Sequence, residues 1–226
     1  MPDKPLGWTV VPRIVGRFAL LSIPFFAAGS VRWTRGWVWI ATLALSLVAV
    51  FAVVRTRNPG LLRTRLNTKA PTELFDKVFV GLYLLAAVAF LVVAGLDARW
   101  GWSQLSSAWL FAGLALHLAA LVLLAAVVAT NPFLEGTVRI QSERGHVAVT
   151  SGPYRIVRHP MYASLVVMFP AWALVLGSLW ACVPAACVAI LFAFRTANED
   201  RTLLRELPGY EEYARRTRYR LIPGLW

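Results

Sequence analysis

Long uninterrupted apolar runs constrain this chain more than any other feature of its sequence. A run of about 20 apolar residues matches the thickness of the hydrocarbon core of a bilayer. Such runs recur along the chain, at residues 13–31, 37–54, 75–95, 108–130 and 161–194. The composition agrees, since 58% of the 226 residues are hydrophobic and only 15% are charged. We therefore predict an all-α integral membrane protein, with about five to six transmembrane helices.

The last apolar run is about twice as long as one transmembrane helix requires. Gly177 and Ser178 lie at its middle, and both residue types favour turns. We predict a tight helical hairpin here, with short arms. The first run is predicted to be a retained helix rather than a cleaved signal peptide, because Arg13 and Arg17 come late for the basic start of such a peptide.

The distribution of basic residues predicts the orientation. With the N-terminus in the cytoplasm, 20 of the 23 Lys and Arg residues fall on cytoplasmic segments, leaving Arg32, Arg35 and Arg99 outside. Cytoplasmic segments of membrane proteins are enriched in Lys and Arg. Six tryptophans fall near the opposite face, as an aromatic belt would: Trp33, Trp37, Trp100, Trp102, Trp109 and Trp180. Both termini are thus predicted to be cytoplasmic, and topology accounts for the net charge of +12 without a nucleic-acid partner.

The chain is predicted to form one membrane domain, residues 1–226, in two portions. Asn131-Pro132 ends the fourth helix, since the residue before a proline is disfavoured in a helix. Residues 1–130 form a four-helix portion, and residues 131–226 carry most of the polar motifs. The basic loop at residues 55–72 is expected to lie along the anionic inner leaflet, where each cation contributes about 1 kcal/mol.

Three groups of residues could carry chemistry. Arg158-His159-Pro160 is typical of a helix start, and the free N–H groups there would attract an anion. Arg195 and Glu199 are spaced four residues apart at the cytoplasmic end of the sixth span, which suits either a surface ion pair or a site facing the same interface as His159. His117 lies within the fourth helix, where an imidazole bonded across helices is the favoured interpretation over a functional group.

These motifs together resemble the isoprenylcysteine carboxyl methyltransferase family, which is related to the membrane phospholipid methyltransferases. The resemblance lies in Gly152-Pro153-Tyr154, in Arg158 to Tyr162, in Arg195 to Leu203, in Gly209 to Tyr213, and in the basic stretch from Arg218 to Pro223. It covers roughly residues 139–226. Asp200 departs from the pattern, which has a second Glu there.

The resemblance implies S-adenosylmethionine as methyl donor, bound on the cytoplasmic side under a C-terminal helical segment. Arg195 would face the methyl acceptor. The donor contacts implied by the resemblance are Gln141, His146, Val147, Ala148, Val149, Tyr154, His159, Pro160, Met161, Tyr162 and Glu199. No metal is implied.

The expected acceptor is lipophilic, as a small molecule or a lipidated substrate reached from the membrane, and a carboxylate is favoured over a thiol, an amine or a phospholipid. The compact, basic chain suggests a bacterial inner membrane. Two alternatives stay open: an NADPH-dependent enzyme similar to membrane sterol reductases, and a non-catalytic membrane protein. The sequence lacks the glycine-rich and GK[ST] nucleotide motifs and the HExxH and CxxC metal motifs.

Overall fold

The computed structural model describes residues 7–61, 74–134 and 140–226. These residues contain seven α-helices with defined bounds, a helical stretch at residues 59–61 and two short 3₁₀ turns, with no β-strand among them. The all-α prediction is confirmed for this part of the chain. The basic loop predicted at residues 55–72 lies mostly outside it. The helices are α1 Gly7–Ala28, α2 Thr34–Arg57, α3 Leu74–Trp100, α4 Ser107–Thr130, α5 Pro160–Leu176, α6 Cys182–Glu206 and α7 Tyr210–Arg216. The 3₁₀ turns are Ser142–Arg144 and Gly152–Arg155.

Four of the helices, α2, α3, α4 and α6, are long and apolar enough to cross a membrane. Helix α5 is apolar but has 17 residues, which corresponds to about 25 Å at 1.5 Å per residue. Large apolar side chains such as Leu45 and Phe111 are 70% and 67% exposed. An apolar surface of this kind is suited to lipid rather than to water. The chain is an integral membrane protein, and the total of five to six spans stays a prediction.

The turn of the helical hairpin predicted at Gly177-Ser178 is confirmed, but short arms were predicted and only α5 is short, with 17 residues against 25 in α6. Gly177 has a φ of 81°, in the left-handed region that glycine adopts readily, and it ends α5. The amide of Ser178 donates to the carbonyl oxygen of Ala173 at 2.9 Å, which closes the helix end. Helix α6 then continues past residue 194 to Glu206 without a break, so Arg195 and Glu199 lie on the same helix as the second arm of the hairpin.

Helices α4 and α5 pack closely and share a polar bridge to α2. A Cβ atom added to Gly113 would lie 2.8 Å from the carbonyl oxygen of Ala171, so the two backbones can approach only because residue 113 is glycine. Trp172 Nε1–H donates to His117 Nδ1 at 3.1 Å, and the His117 Nε2 atom lies 2.8 Å from Ser46 Oγ. Because Nδ1 accepts the Trp172 hydrogen, the ring proton of a neutral His117 is on Nε2. It is donated to Ser46 Oγ, whose own hydrogen goes to the Thr42 carbonyl. The structural interpretation of His117 is therefore confirmed.

The end of the bundle that carries the hairpin turn is rich in tryptophan, as predicted. Trp100 and Trp102 have ring centroids 5.0 Å apart, and Trp102 lies 6.4 Å from Trp180. A buried carboxylate, Asp97, fastens this end by accepting hydrogen bonds from the Ser103 amide and hydroxyl and from the Ser178 hydroxyl, at 2.5–2.7 Å. The polar motifs singled out in the sequence lie at the opposite end.

Candidate functional site

A cavity opens at the end of the bundle where α4 ends and α5 begins. Its walls come from the segments that follow α4 and precede α5, from the last turns of α6 and from α7. Every donor contact implied by the resemblance lines this cavity except Pro160, which is buried in the first turn of α5: Gln141, His146, Val147, Ala148, Val149, Tyr154, His159, Met161, Tyr162 and Glu199. Segments far apart in the chain thus meet around one space.

Glu199 and Arg195 both contact the hydroxyl group of Tyr162. The Tyr162 hydroxyl donates to Glu199 Oε2 at 2.5 Å and accepts from Arg195 Nε at 2.9 Å. The Glu199 side chain is 25% exposed and faces the cavity. Arg195 is 3% exposed, is not among the described residues that line the cavity, and donates from an Nη1 atom to Asp76 Oδ1 at 2.9 Å. No local sequence pattern marks Asp76 as a partner of Arg195, because the two residues are 119 positions apart in the chain.

Asp200 lies behind the cavity and accepts hydrogen bonds from several directions. Its side chain is fully buried, and its partners are Arg158 at 3.1 Å, Tyr210 at 2.9 Å and Arg220 at 2.9 Å, with His159 Nε2 at 3.3 Å. The sequence had marked Asp200 only as a departure from the family pattern. Its position immediately after Glu199 puts the two carboxylates on different sides of α6, one toward the cavity and one toward the C-terminal segment.

The backbone amides of Arg158 and His159, just before α5, are not free. The Arg158 amide donates to the Tyr219 carbonyl and the His159 amide donates to the Arg220 carbonyl, both at 2.9 Å. Amides that already have partners in the chain are not available to an anion. The C-terminal residues therefore occupy these two amides, whereas anion binding by the amides in the first turn of α5, at Met161 and Tyr162, stays a prediction.

The guanidinium group of Arg158 is a better candidate for an anion contact. Arg158 lines the cavity, and its Nε atom is buried without a hydrogen-bond partner among the described residues. A buried N–H without a partner costs about 1–3 kcal/mol. A ligand with an acceptor oxygen would satisfy this group.

Tyr154 is fixed at the wall of the cavity by contacts on both sides. Its hydroxyl accepts a hydrogen bond from Asn131 Nδ2 at 2.7 Å, and its carbonyl accepts one from the Tyr213 hydroxyl at 2.7 Å. Burial raises the pKa of Tyr154 above its usual value of 10.0, and the charge of Glu199 acts in the same direction. Tyr154 is therefore a neutral aromatic surface throughout the physiological range.

Gln141 and His146 brace the segment that covers one side of the cavity. Gln141 donates from Nε2 to the Phe133 carbonyl at 2.7 Å, and its backbone amide donates to His146 Nδ1 at 3.3 Å. The His146 ring lies 4.5 Å from the Phe133 ring, centroid to centroid. Arg144 completes the brace by donating to Gln141 Oε1 at 2.5 Å. These contacts orient Val147, Ala148 and Val149 along the wall.

No group of three or more His, Cys, Asp or Glu side chains within residues 7–61, 74–134 and 140–226 is arranged to hold a metal ion. The cavity instead combines one carboxylate, the aromatic faces of Tyr154, Tyr162 and Tyr210, and an arginine with an unsatisfied donor. Such a lining suits an organic ligand that carries a positive and a negative charge.

Comparisons with known proteins agree with the resemblance seen in the sequence. The model of the isoprenylcysteine carboxyl methyltransferase (ICMT) family matches residues 111–205. The nickel-cobalt-cadmium resistance protein NccN of Alcaligenes xylosoxydans xylosoxydans is 30% identical over 160 residues, which is 69% of this chain and 70% of that protein. The cobalt-zinc-cadmium resistance protein CzcN of Cupriavidus metallidurans is 34% identical over 79 residues, which is 34% of this chain and 37% of that protein.

Proposed function

Because the chain belongs to the isoprenylcysteine carboxyl methyltransferase family, we propose that it transfers a methyl group from S-adenosylmethionine to a lipophilic acceptor. The reaction takes place at the cytoplasmic face of the membrane. One observation carries the proposal: ten of the eleven donor contacts implied by the resemblance, from separate parts of the chain, line a single cavity.

The chemical groups of the cavity fit the donor. Arg158 offers a buried N–H without a partner to the donor carboxylate. Glu199 is an acceptor for the amino group or for ribose hydroxyls. The faces of Tyr154 and Tyr162 attract a cationic sulfur, since an aromatic ring carries negative potential above its plane.

The donor, when bound, supplies a methyl group attached to a positively charged sulfur. Its transfer to an acceptor carboxylate would break the bond from methyl to sulfur and form a bond to oxygen, and would leave a neutral thioether and a neutral ester. Opposite charges disappear together, so a dry site that aligns the reactants accelerates the reaction. A carboxylate acceptor has no proton that a base must remove. This agrees with a site that accelerates the reaction mainly by aligning the reactants.

Arg195 is our candidate for the acceptor side of the site. The hydroxyl group of Tyr162 lies between the Arg195 guanidinium group and the Glu199 carboxylate and is hydrogen-bonded to both. Direct contact with an acceptor carboxylate therefore requires movement of Tyr162 or of Asp76. We propose a carboxylate as the acceptor group and, as alternatives of the same reaction class, a thiol, an amine or a phospholipid.

The orientation of the protein is part of the proposal. With the cavity on the cytoplasmic side, the donor is reached from the cytoplasm and the acceptor from the bilayer. We place the chain in the inner membrane of a bacterium with both termini in the cytoplasm, a placement supported by the excess of Lys and Arg at the cavity end. Fusion of a cytoplasm-active reporter to the C-terminus should give full signal, and a periplasm-active reporter should give none.

Calorimetric titration with S-adenosylhomocysteine tests the proposal. Detergent-purified protein should bind it saturably and should not bind NADPH. Glu199→Gln should weaken binding about 10-fold or more, which corresponds to the loss of one charge-assisted hydrogen bond. Glu206→Gln is the matched control, because Glu206 lies on the same helix but is exposed and away from the cavity.

Other results would contradict the proposal in different ways. Saturable binding of NADPH alone would assign the protein to the reductase class. Binding of neither compound by folded protein would leave a non-catalytic role. Equal affinity of the Glu199 and Glu206 variants would remove Glu199 from the donor site.

A further inference from the structure

A continuous chain of polar side chains links the start of α3 to the cavity. Asp76, in the first turn of α3, is 3% exposed and accepts a hydrogen bond from Arg195 at 2.9 Å. Arg195 donates from Nε to the Tyr162 hydroxyl at 2.9 Å, and Tyr162 donates to Glu199 at 2.5 Å. Three consecutive hydrogen bonds thus join a buried carboxylate outside the cavity to the carboxylate inside it.

The directions of these hydrogen bonds follow from the chemistry of the groups. A guanidinium group can only donate, and a tyrosine hydroxyl has a single hydrogen. Because the Tyr162 oxygen accepts from Arg195, its hydrogen is directed to Glu199. The position of Arg195 therefore decides where the Tyr162 hydroxyl points, and the hydroxyl in turn holds one oxygen of Glu199.

Helix α3 fixes the Arg195 guanidinium from two sides. Asp76 pairs with an Nη1 atom, and the ring of Phe79, one turn further along α3, lies 4.4 Å from the guanidinium carbon. Both side chains of the ion pair are 4–5% exposed, so little water competes for the contact. A buried charge that loses its partner is strongly unfavourable, so the contact with Asp76 holds Arg195 in this position.

We propose that Asp76 is a positioning residue for the donor site and sets the orientation of Glu199 through Arg195 and Tyr162. This inference rests on the proposed function. It assigns a role in donor binding to a residue of the four-helix portion, outside residues 111–205 that match the family model. The consequence is that the N-terminal portion contributes to donor affinity without touching the donor.

The first test compares two buried aspartates at opposite ends of α3. Asp76→Asn removes the charge that holds Arg195, whereas Asp97→Asn removes a carboxylate that is 1% exposed and contacts only the hairpin end in the part of the chain that the structure describes. The measurements are the Kd for S-adenosylhomocysteine by calorimetry and the Tm in detergent. We expect Asp76→Asn to raise the Kd about tenfold, the scale of one charge-assisted hydrogen bond. Asp97→Asn should lower the Tm and leave the Kd within about twofold of the wild type.

A variant that keeps the charge covers the case in which Asp76→Asn does not fold. Asp76→Glu retains the ion pair but moves the carboxylate by one methylene, so Arg195 and the Tyr162 hydroxyl must shift. We expect a Tm close to that of the wild type with a raised Kd. An unchanged Kd in a folded Asp76 variant, with the wild type binding normally, would overturn the inference.

A double-mutant cycle on ligand-free protein separates this inference from the proposed function. The Tm losses of Asp76→Asn and Glu199→Gln should be non-additive when Tyr162 is present, since residues in one hydrogen-bond network are energetically coupled. They should become additive in a Tyr162→Phe background. Additive losses in both backgrounds would refute the link from Asp76 to Glu199 through Arg195 and Tyr162, whether or not the protein binds S-adenosylhomocysteine. Non-additive Tm losses in a protein that does not bind S-adenosylhomocysteine would support this link and refute the proposed function.

Discussion

Replacement of Asp200 by asparagine should destabilise the protein more than any substitution of an exposed acidic residue. The Asp200 side chain is fully buried and pairs with Arg158, whose side chain is 9% exposed, and with Arg220, whose side chain is 32% exposed. Asparagine preserves the shape but removes the charge and presents two hydrogens toward groups that donate. Arg158 would then be a buried cation without a counter-charge.

The magnitude follows from the burial of the two pairs. Removal of one partner of a buried ion pair costs about 3–5 kcal/mol. The pair with Arg220 is partly screened by solvent and adds less than about 1 kcal/mol. For a chain of this length, 1 kcal/mol corresponds to roughly 2–4 °C in Tm, so we expect a decrease on the order of 10 °C.

Thermal unfolding in detergent, followed by tryptophan fluorescence, measures this decrease. Glu211→Gln is the control, because it breaks an ion pair with Arg215 whose side chains are 68% and 77% exposed. That pair should contribute no more than about 0.5 kcal/mol. A Tm for Asp200→Asn that lies within about 2 °C of the Glu211→Gln value would refute the reasoning.

Two further predictions concern close packing and pH. Gly113→Ala should cost about 1–3 kcal/mol, because the new Cβ atom would lie 2.8 Å from the Ala171 carbonyl oxygen. Gly81→Ala, with nothing within 4 Å of the added atom, should leave the Tm unchanged or raise it, and equal losses in the two variants would contradict this. Stability should also fall as the pH rises above about 10. Burial raises the pKa of several tyrosines in the folded state. The same tyrosines lose their protons at lower pH in the unfolded chain, and this favours unfolding. The Tm measured at about pH 9 and about pH 11 checks this, and a variant without the Tyr154 hydroxyl, Tyr154→Phe, should show a smaller decrease. The tyrosines concerned are Tyr154, Tyr210 and Tyr213.

Much of the fold could be predicted because it depends on local properties. An apolar run that spans a bilayer forms a helix, since its backbone must satisfy its own hydrogen bonds in lipid. The turn at Gly177 follows from the conformational preferences of glycine. The spacing of Arg195 and Glu199 on one helix also follows from the sequence alone.

The candidate site was predicted in part. The resemblance identified ten of the residues that line the cavity, from Gln141 to Glu199, but not other lining residues such as Arg158 and Tyr210, nor the residues that hold the lining in place. Asp200, next to Glu199 in the chain, is the buried partner of Arg158 and Arg220. The residue type does not reveal which carboxylate faces the cavity and which faces the C-terminal segment.

The sequence by itself determined the elements of this protein: a membrane location, the approximate helices, the hairpin and the set of polar motifs at one end. Only the tertiary structure decided how the polar groups pair. The Arg158 and His159 amides bond to the C-terminal residues, and Arg195 pairs with Asp76 across 119 positions. The physical reason is that helix formation and membrane insertion depend on neighbouring residues, whereas the partner of a buried charge depends on which helices pack together.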